Sequence, residues 1–137
     1  MADDIDNLRR AADGGDLEAQ YNLATCYEQG QGVGQNLRTA AKYFRMAADG
    51  GHLEAKATMA RLCFLGKGVA QDSDDAAQWV KLAAEGGHTE SQFNLGEMYA
   101  FGRVFAADPE LAGLWYGRAA DQGHEGAKER LAEGEID

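Results

Sequence analysis

The sequence contains little cysteine, little proline and few basic side chains, and these shortages exclude several classes of protein. Its 137 residues include one proline and two cysteines, and two cysteines are too few for a disulfide framework. Cys26 and Cys63 lie among apolar residues, so we expect both to be reduced, buried thiols. Basic residues number 13 against 23 acidic ones, a net charge of −10. This charge argues against a nucleic-acid or anionic-membrane surface.

Signals for membrane insertion and for catalysis are also lacking. No apolar run approaches the roughly 20 residues of a transmembrane helix, and the acidic residues 1–6 do not resemble a signal-peptide core. We expect a cytoplasmic protein, or a periplasmic or secreted one if a signal peptide has been removed. Ser73 and Ser91 lie outside any nucleophile motif, and no cysteine–histidine pair is visible. We therefore predict no enzyme activity, no catalytic residue and no cofactor.

The sequence does contain an internal repeat. The tetrad Ala-Asp-Gly-Gly, or a close variant, ends at Gly15, Gly51, Gly87 and Gly123, so successive copies are 36 residues apart. A fixed period in this range is typical of a solenoid of stacked helical or strand units. We interpret 1–137 as one domain. Within it we predict a half-repeat helix at 4–15, full repeats at 16–51, 52–87 and 88–123, and a capping helix with a tail at 124–137.

Each full repeat carries the pattern of two helices. Apolar residues recur at helical spacing in the first half, as at Ala19, Leu23 and Ala24. A glycine then ends this first helix, and the second helix begins behind a short polar residue, predicted to be its N-cap. We predict an all-α fold of antiparallel helix pairs with about seven helices. The predicted N-caps of the second helices are Asn36, Asp72 and Asp108.

The third loop departs from the other two. Gly32 and Gly68 occupy a loop position at which the third repeat has Val104. If that position requires a positive φ, the third loop must take a different path, because valine avoids such angles. The next residue, Phe105, either packs beneath its own loop or forms a contact at the edge of the protein.

The copies resemble the Sel1-like repeat family, whose members are related to tetratricopeptide repeats. Residues 18–24 (EAQYNLA), the loop at 27–33 and the alanine-rich stretch at 40–48 carry the resemblance, with counterparts in both later copies. The family implies a right-handed superhelix that acts as a protein-interaction adaptor. One cysteine-rich branch of the family resembles β-lactam-binding proteins, but no copy here has paired cysteines, so we do not infer that activity.

The resemblance also suggests where a partner binds. In the related tetratricopeptide solenoids the first helices line the concave face, and we expect a basic, partly apolar protein segment to bind there. Tyr21 and Phe93 are alternatively core residues between repeats, and Phe64 and Phe101 are alternatively contacts at helix C-termini. We call the predicted set the first-helix row: Glu18, Tyr21, Thr25, Glu28, Arg61, Phe64, Phe93, Glu97 and Phe101.

The three histidines, His52, His88 and His124, share one repeat position. Packed helices lie about 8–10 Å apart, whereas zinc is bound by imidazole nitrogen at about 2.0–2.1 Å. Successive repeats therefore cannot share one ion, and we predict no metal site. We expect each histidine to cap a helix or pack at the turn between repeats.

Three functions remain open at this point. The first is a monomeric adaptor, with end-to-end stacking through Ile5 and Leu8 as an alternative association. The second is an acidic inhibitor, such as an immunity protein, that neutralises a basic toxin. The third, more remote, is a small-molecule binder or a hydrolase.

Overall fold

The repeat pattern corresponds to consecutive helices in the structure, a computed structural model. It describes the backbone of residues 2–136 and the side chains of residues 4–134. Residues 2–136 contain eight helices and no strand, one helix more than the expected seven, because three pairs and two terminal helices make eight. Within these residues no helix is both long and apolar enough to cross a membrane. The helices are α1 (Ala2–Asp13), α2 (Leu17–Gln29), α3 (Leu37–Asp49), α4 (Leu53–Leu65), α5 (Ser73–Glu85), α6 (Thr89–Phe101), α7 (Pro109–Asp121) and α8 (Glu125–Ile136).

The chain divides into two compact units, Met1–Ala76 and Ala77–Asp137, and α5 begins in the first and continues in the second. In the first unit α1 packs on α2, α2 on α3 and α3 on α4. In the second unit α6 packs on α7 and α7 on α8. Short loops join these neighbours, so consecutive helices run antiparallel. The predicted all-α architecture of antiparallel helix pairs is confirmed.

The second helices begin at the polar residues that the sequence indicated. The Asn36 side chain accepts a hydrogen bond from the backbone N–H of Thr39 at 3.1 Å, and Asp72 accepts one from Asp75 at 3.0 Å. Asp108 does the same for α7, whose first residue is proline. These side chains satisfy N–H groups that have no partner within the helix. The three N-cap predictions are confirmed.

The histidines cap the first helices of successive repeats. Nδ1 of His52 accepts a hydrogen bond from the N–H of Ala55 at 3.1 Å, and Nδ1 of His88 accepts one from Ser91 at 3.2 Å. His124 caps α8 in the same way. Because Nδ1 accepts, the proton of each neutral ring is on Nε2. The expectation that the histidines cap helices at the repeat turns is confirmed.

Val104 adopts a positive φ like the two glycines at the same loop position, so the expectation that valine would avoid this angle is wrong. Gly32 and Gly68 have φ angles of 73° and 77°, and Val104 has a φ of 64°. The N–H of Phe105 donates to the carbonyl of Arg103 at 2.7 Å, which closes a tight three-residue turn around Val104. Valine in this region of φ is strained, because its branched Cβ crowds the backbone.

The core consists of small side chains interleaved with a few large ones. Leu23 and Phe44 are fully buried in the first unit, and Leu95 in the second. The many buried alanines of α3 and α7 allow neighbouring helices to approach closely. Cys63 is buried as expected, and burial, followed by the nearby carboxylates, raises the pKa of its thiol. The expectation is wrong for Cys26, which is only half-buried; both cysteines are free thiols.

Candidate partner-binding site

In the first unit, two charged members of the first-helix row pair with each other. Arg61 on α4 donates to the carboxylate of Glu28 on α2 at 3.0 Å. The Glu28 side chain is half-buried, whereas the Arg61 side chain is 45% exposed. The pair therefore links the first helices of two successive repeats. The negative charge of Glu28 is already paired with Arg61 in the absence of a partner.

In the second unit, Glu97 on α6 receives a denser set of hydrogen bonds. Arg130 on α8 donates to Glu97 Oε1 from Nε at 3.1 Å and from Nη2 at 3.0 Å. The hydroxyl of Tyr116 donates to Glu97 Oε2 at 2.9 Å. Burial, and next the bond to Glu97, raises the pKa of Tyr116, and the bond to Glu97 raises the pKa of Arg130. Glu97 is thus the centre of a structural network.

Two aromatic members of the row pack against the following repeat. Tyr21 stacks on the His52 ring with a centroid separation of 4.6 Å, and Phe93 stacks on His124 at 4.4 Å. Both side chains are half-buried. The structure therefore favours the alternative that Tyr21 and Phe93 are contacts between repeats. Thr25 also makes an internal contact, since its hydroxyl donates to the carbonyl of Tyr21 at 3.1 Å.

The remaining carboxylate of the row, Glu18, has a side chain that is 70% exposed. Its Oε2 lies 2.9 Å from Nε2 of His52, and Glu90 makes the same contact with His124 in the second unit. Because Nδ1 of each ring accepts a hydrogen bond from a helix N–H, Nε2 is the donor to the carboxylate. Glu18 thus keeps most of its surface available to a partner.

Two first helices end in a large apolar side chain that is exposed. Phe101, the last residue of α6, is 54% exposed, and the guanidinium groups of Arg103 and Arg130 lie 5.3 and 5.6 Å from its ring. Phe64 is only half-buried, whereas its neighbour Leu65 is 59% exposed. Leu65 was missed by the sequence reasoning, although it lies one 36-residue period before Phe101.

Phe105 packs within its own loop region. Its ring stacks on Tyr99 with a centroid separation of 5.2 Å, and the side chain is half-buried. The first of the two alternatives for Phe105, packing beneath its own loop, therefore agrees with the structure. The exposed large apolar residue of this loop is Val104, at 45%. Among the side chains of residues 4–134, no three His, Cys, Asp or Glu residues come together as a metal site.

These features define a helical-hairpin repeat protein in which, within each unit, histidine caps and ion pairs join one repeat to the next. The Sel1 repeat model matches residues 17–52, 54–88 and 89–124, so the chain belongs to the Sel1 repeat family. The resemblance drawn from the sequence is confirmed. Sel1 repeat proteins are generally protein–protein interaction scaffolds, and their fold is a non-catalytic one.

Solved structures agree with this assignment. A Sel1 repeat protein from Oxalobacter formigenes is 39% identical with a TM-score of 0.89, and the match covers 95% of this chain and 98% of that one. A protective antigen of uropathogenic Escherichia coli is 32% identical with a TM-score of 0.86, over 94% of this chain and 28% of the antigen. The cysteine-rich protein B of Helicobacter pylori shares the fold, with 18% identity, a TM-score of 0.69, and coverage of 91% and 95%. A search of curated proteins gave no match.

Proposed function

We propose that this chain is a protein-interaction module that binds a basic, partly apolar segment of a partner protein through its first-helix row together with Leu65. The observation that carries the proposal is the exposure of Leu65 and Phe101, at 59% and 54%. They occupy the same repeat position, at the end of a first helix, in successive repeats. Large apolar side chains on a surface supply binding energy when a partner covers them.

Charge supports the choice of a basic partner. The net charge is −10, and Glu18 of the first-helix row is 70% exposed. Complementary charge accelerates association and disfavours acidic competitors. Glu28 and Glu97 contribute less to partner binding in this proposal, because Arg61 and Arg130 already neutralise them. We therefore expect Leu65 and Phe101 to contribute more to partner binding than Glu28 and Glu97.

The proposal is tested by affinity capture from the native source, followed by titration of the captured partner. The test variant is Leu65→Ser with Phe101→Ser, and the matched control is Leu114→Ser, because Leu114 is 46% exposed but lies on a second helix. We expect the double variant to weaken binding by about 2 kcal/mol or more and the control to bind like the wild type. Circular dichroism should show unchanged helical content in both variants.

Two results would count against the proposal. A partner that binds the double variant as tightly as the wild type would show that the ends of the first helices are not the contact surface. Binding that does not weaken between low and moderate salt would show that charge does not select the partner, since screening reduces interactions between exposed charges.

The acidic charge also favours a second candidate, inhibition of a basic toxin. That function requires fast, salt-sensitive association, with a rate constant of about 10⁸ M⁻¹s⁻¹ or more at low salt. Stopped-flow association with the captured partner distinguishes the two candidates. An association rate constant of about 10⁵–10⁶ M⁻¹s⁻¹ that hardly changes with salt would exclude the inhibitor and keep the adaptor.

A further inference from the structure

In the first unit two loop glycines, Gly32 and Gly68, lie against earlier helices. A Cβ atom added to Gly68 would overlap the carbonyl oxygen of Leu37 and come within 3.2 Å of the Ala41 side chain. A Cβ added to Gly32 would lie 2.9 Å from the Ile5 side chain on α1. At Gly68 only glycine fits, because a Cβ atom there would overlap backbone atoms of Leu37. The first turn of α3 is therefore a seat for the backbone of a glycine-containing turn.

The second unit has a pocket at the corresponding place on α7. Pro109 and Gly113 follow Leu37 and Ala41 by 72 residues, which is two repeat periods. A Cβ added to Gly113 would meet no described atom within 4 Å, so the seat is open. The pocket has a volume of about 420 Å³, and its lining includes Pro109, Ala112, Gly113, Tyr116, Leu131 and Gly134.

A glycine on α8 enlarges the pocket. Gly134 lies at the repeat position held by Leu62 in the second repeat and Met98 in the third, and both of those side chains are buried. The space that leucine or methionine fills elsewhere is therefore open beside Leu131. A bound segment can place an apolar side chain there while its backbone rests on α7.

Charge selects a neutral occupant. The charged side chain of the lining is Arg130, and Glu97 already accepts two hydrogen bonds from its guanidinium group. A carboxylate entering the pocket would have to compete with Glu97, which is held in place by Tyr116 as well. The lining otherwise offers apolar and glycine surface, which favours an uncharged turn.

We propose that this α7–α8 pocket binds a glycine-containing turn of a partner protein, with the Gly-x-Gly-Val chemistry of residues 66–69. The partner's second glycine rests on Pro109 and Gly113, and its apolar side chain enters the space beside Gly134. A second copy of this chain is a poorer occupant, because its Gly32 and Gly68 turns are already seated within their own unit. Neither Leu65 nor Phe101 lines the pocket, and its proposed occupant does not depend on the proposed basic partner.

The test uses a synthetic peptide of residues 62–73 added to the isotope-labelled full chain, with amide chemical shifts as the readout. We expect weak, saturable shifts at Ala112, Gly113 and Leu131. A peptide with Gly68→Val should cause no such shifts, because the valine side chain cannot approach the α7 backbone. This peptide pair isolates the requirement for glycine from general apolar binding.

Protein variants provide the second arm. Gly113→Leu fills the pocket and should weaken peptide binding by about tenfold or more. Gly117→Leu is the matched control, because Gly117 lies one turn further along α7, an added Cβ there also meets open space, and it does not line the pocket. Both changes replace a helical glycine with a better helix former, so neither is expected to impair folding.

Three outcomes would overturn the proposal. The two peptides could bind equally well, Gly113→Leu could bind as tightly as Gly117→Leu, or the shifts could map outside the pocket. Indole offers a further check, since shifts produced at Ala112 and Gly113 by indole but not by the peptide would assign the pocket to small apolar ligands instead.

Discussion

Replacing Val104 with glycine should stabilise the protein, which is unusual for a change that removes an apolar side chain. Val104 has a φ of 64°, and a residue held in such a region costs of order 1–3 kcal/mol. Glycine removes that strain, but it also increases the conformational entropy of the unfolded chain. This second effect lowers the free energy of unfolding by about 0.4–1 kcal/mol. The packing lost is small, because Val104 is 45% exposed. We expect a net gain of about 1 kcal/mol, or a rise in Tm of about 4 °C for a chain of this size.

The assay is urea and thermal unfolding monitored by circular dichroism, with Gly68→Val as the reciprocal variant. Gly68 has a φ of 77°, and a Cβ there would overlap the carbonyl oxygen of Leu37. This second change should therefore destabilise by about 2 kcal/mol or more, since it adds strain and forces a backbone shift. A Val104→Gly variant with an unchanged or lower Tm would refute the argument that the third loop stores strain.

Three further predictions concern the hydrogen bonds and thiols. Because burial and Glu97 raise the pKa of Tyr116, its neutral phenol stabilises the fold fully below about pH 10, and this contribution is lost as pH rises towards the folded-state value. In Tyr116→Phe the free energy of unfolding should therefore fall less steeply as the pH rises above about 10. At pH 7 this variant should be less stable by about 1 kcal/mol, because it lacks the hydrogen bond to Glu97. An unchanged fall at high pH would contradict the prediction. Arg130→Met should destabilise the protein more than Arg61→Met, because Arg130 donates two hydrogen bonds to Glu97 whereas Arg61 donates one to Glu28. Equal losses in urea unfolding would contradict this ranking. Finally, Cys63 should react with a thiol reagent more slowly in the native protein than in urea, because the thiolate is the reactive form and burial disfavours it; equal rates would show that it is accessible.

The helices could be predicted from the sequence because the signals for each helix lie within it. The apolar spacing, the N-cap Asn36 and the final glycine Gly30 all act within one helix and its adjoining turns, so a single repeat contains the information. The 36-residue period then extends that prediction along the chain. The expected number of about seven was one too few, since three repeats of two helices and the two predicted terminal helices already make eight.

The candidate site was harder to predict, because its side chains are shared between repeats. Arg61 pairs with Glu28, and Arg130 with Glu97, in both cases across 33 residues. That offset is about one helical turn shorter than the 36-residue period. Opposite charges at this spacing in the sequence could therefore have predicted both ion pairs. The exposure of Leu65 depends on the direction of its side chain at the helix end, and the apolar pattern alone does not specify that direction.

The histidine caps make the start of a helix depend on its neighbouring repeat. The ring of His52 caps α4 through Nδ1, contacts Glu18 through Nε2 and stacks on Tyr21, and His124 joins α8 to α6 in the same way. Each of these histidine side chains thus caps its own helix and also contacts the first helix of the preceding repeat. In a linear array, such sharing lowers the stability of an isolated repeat and raises the coupling between neighbours. Within each unit, helices joined in this way should unfold together, and fraying of single repeats should be suppressed.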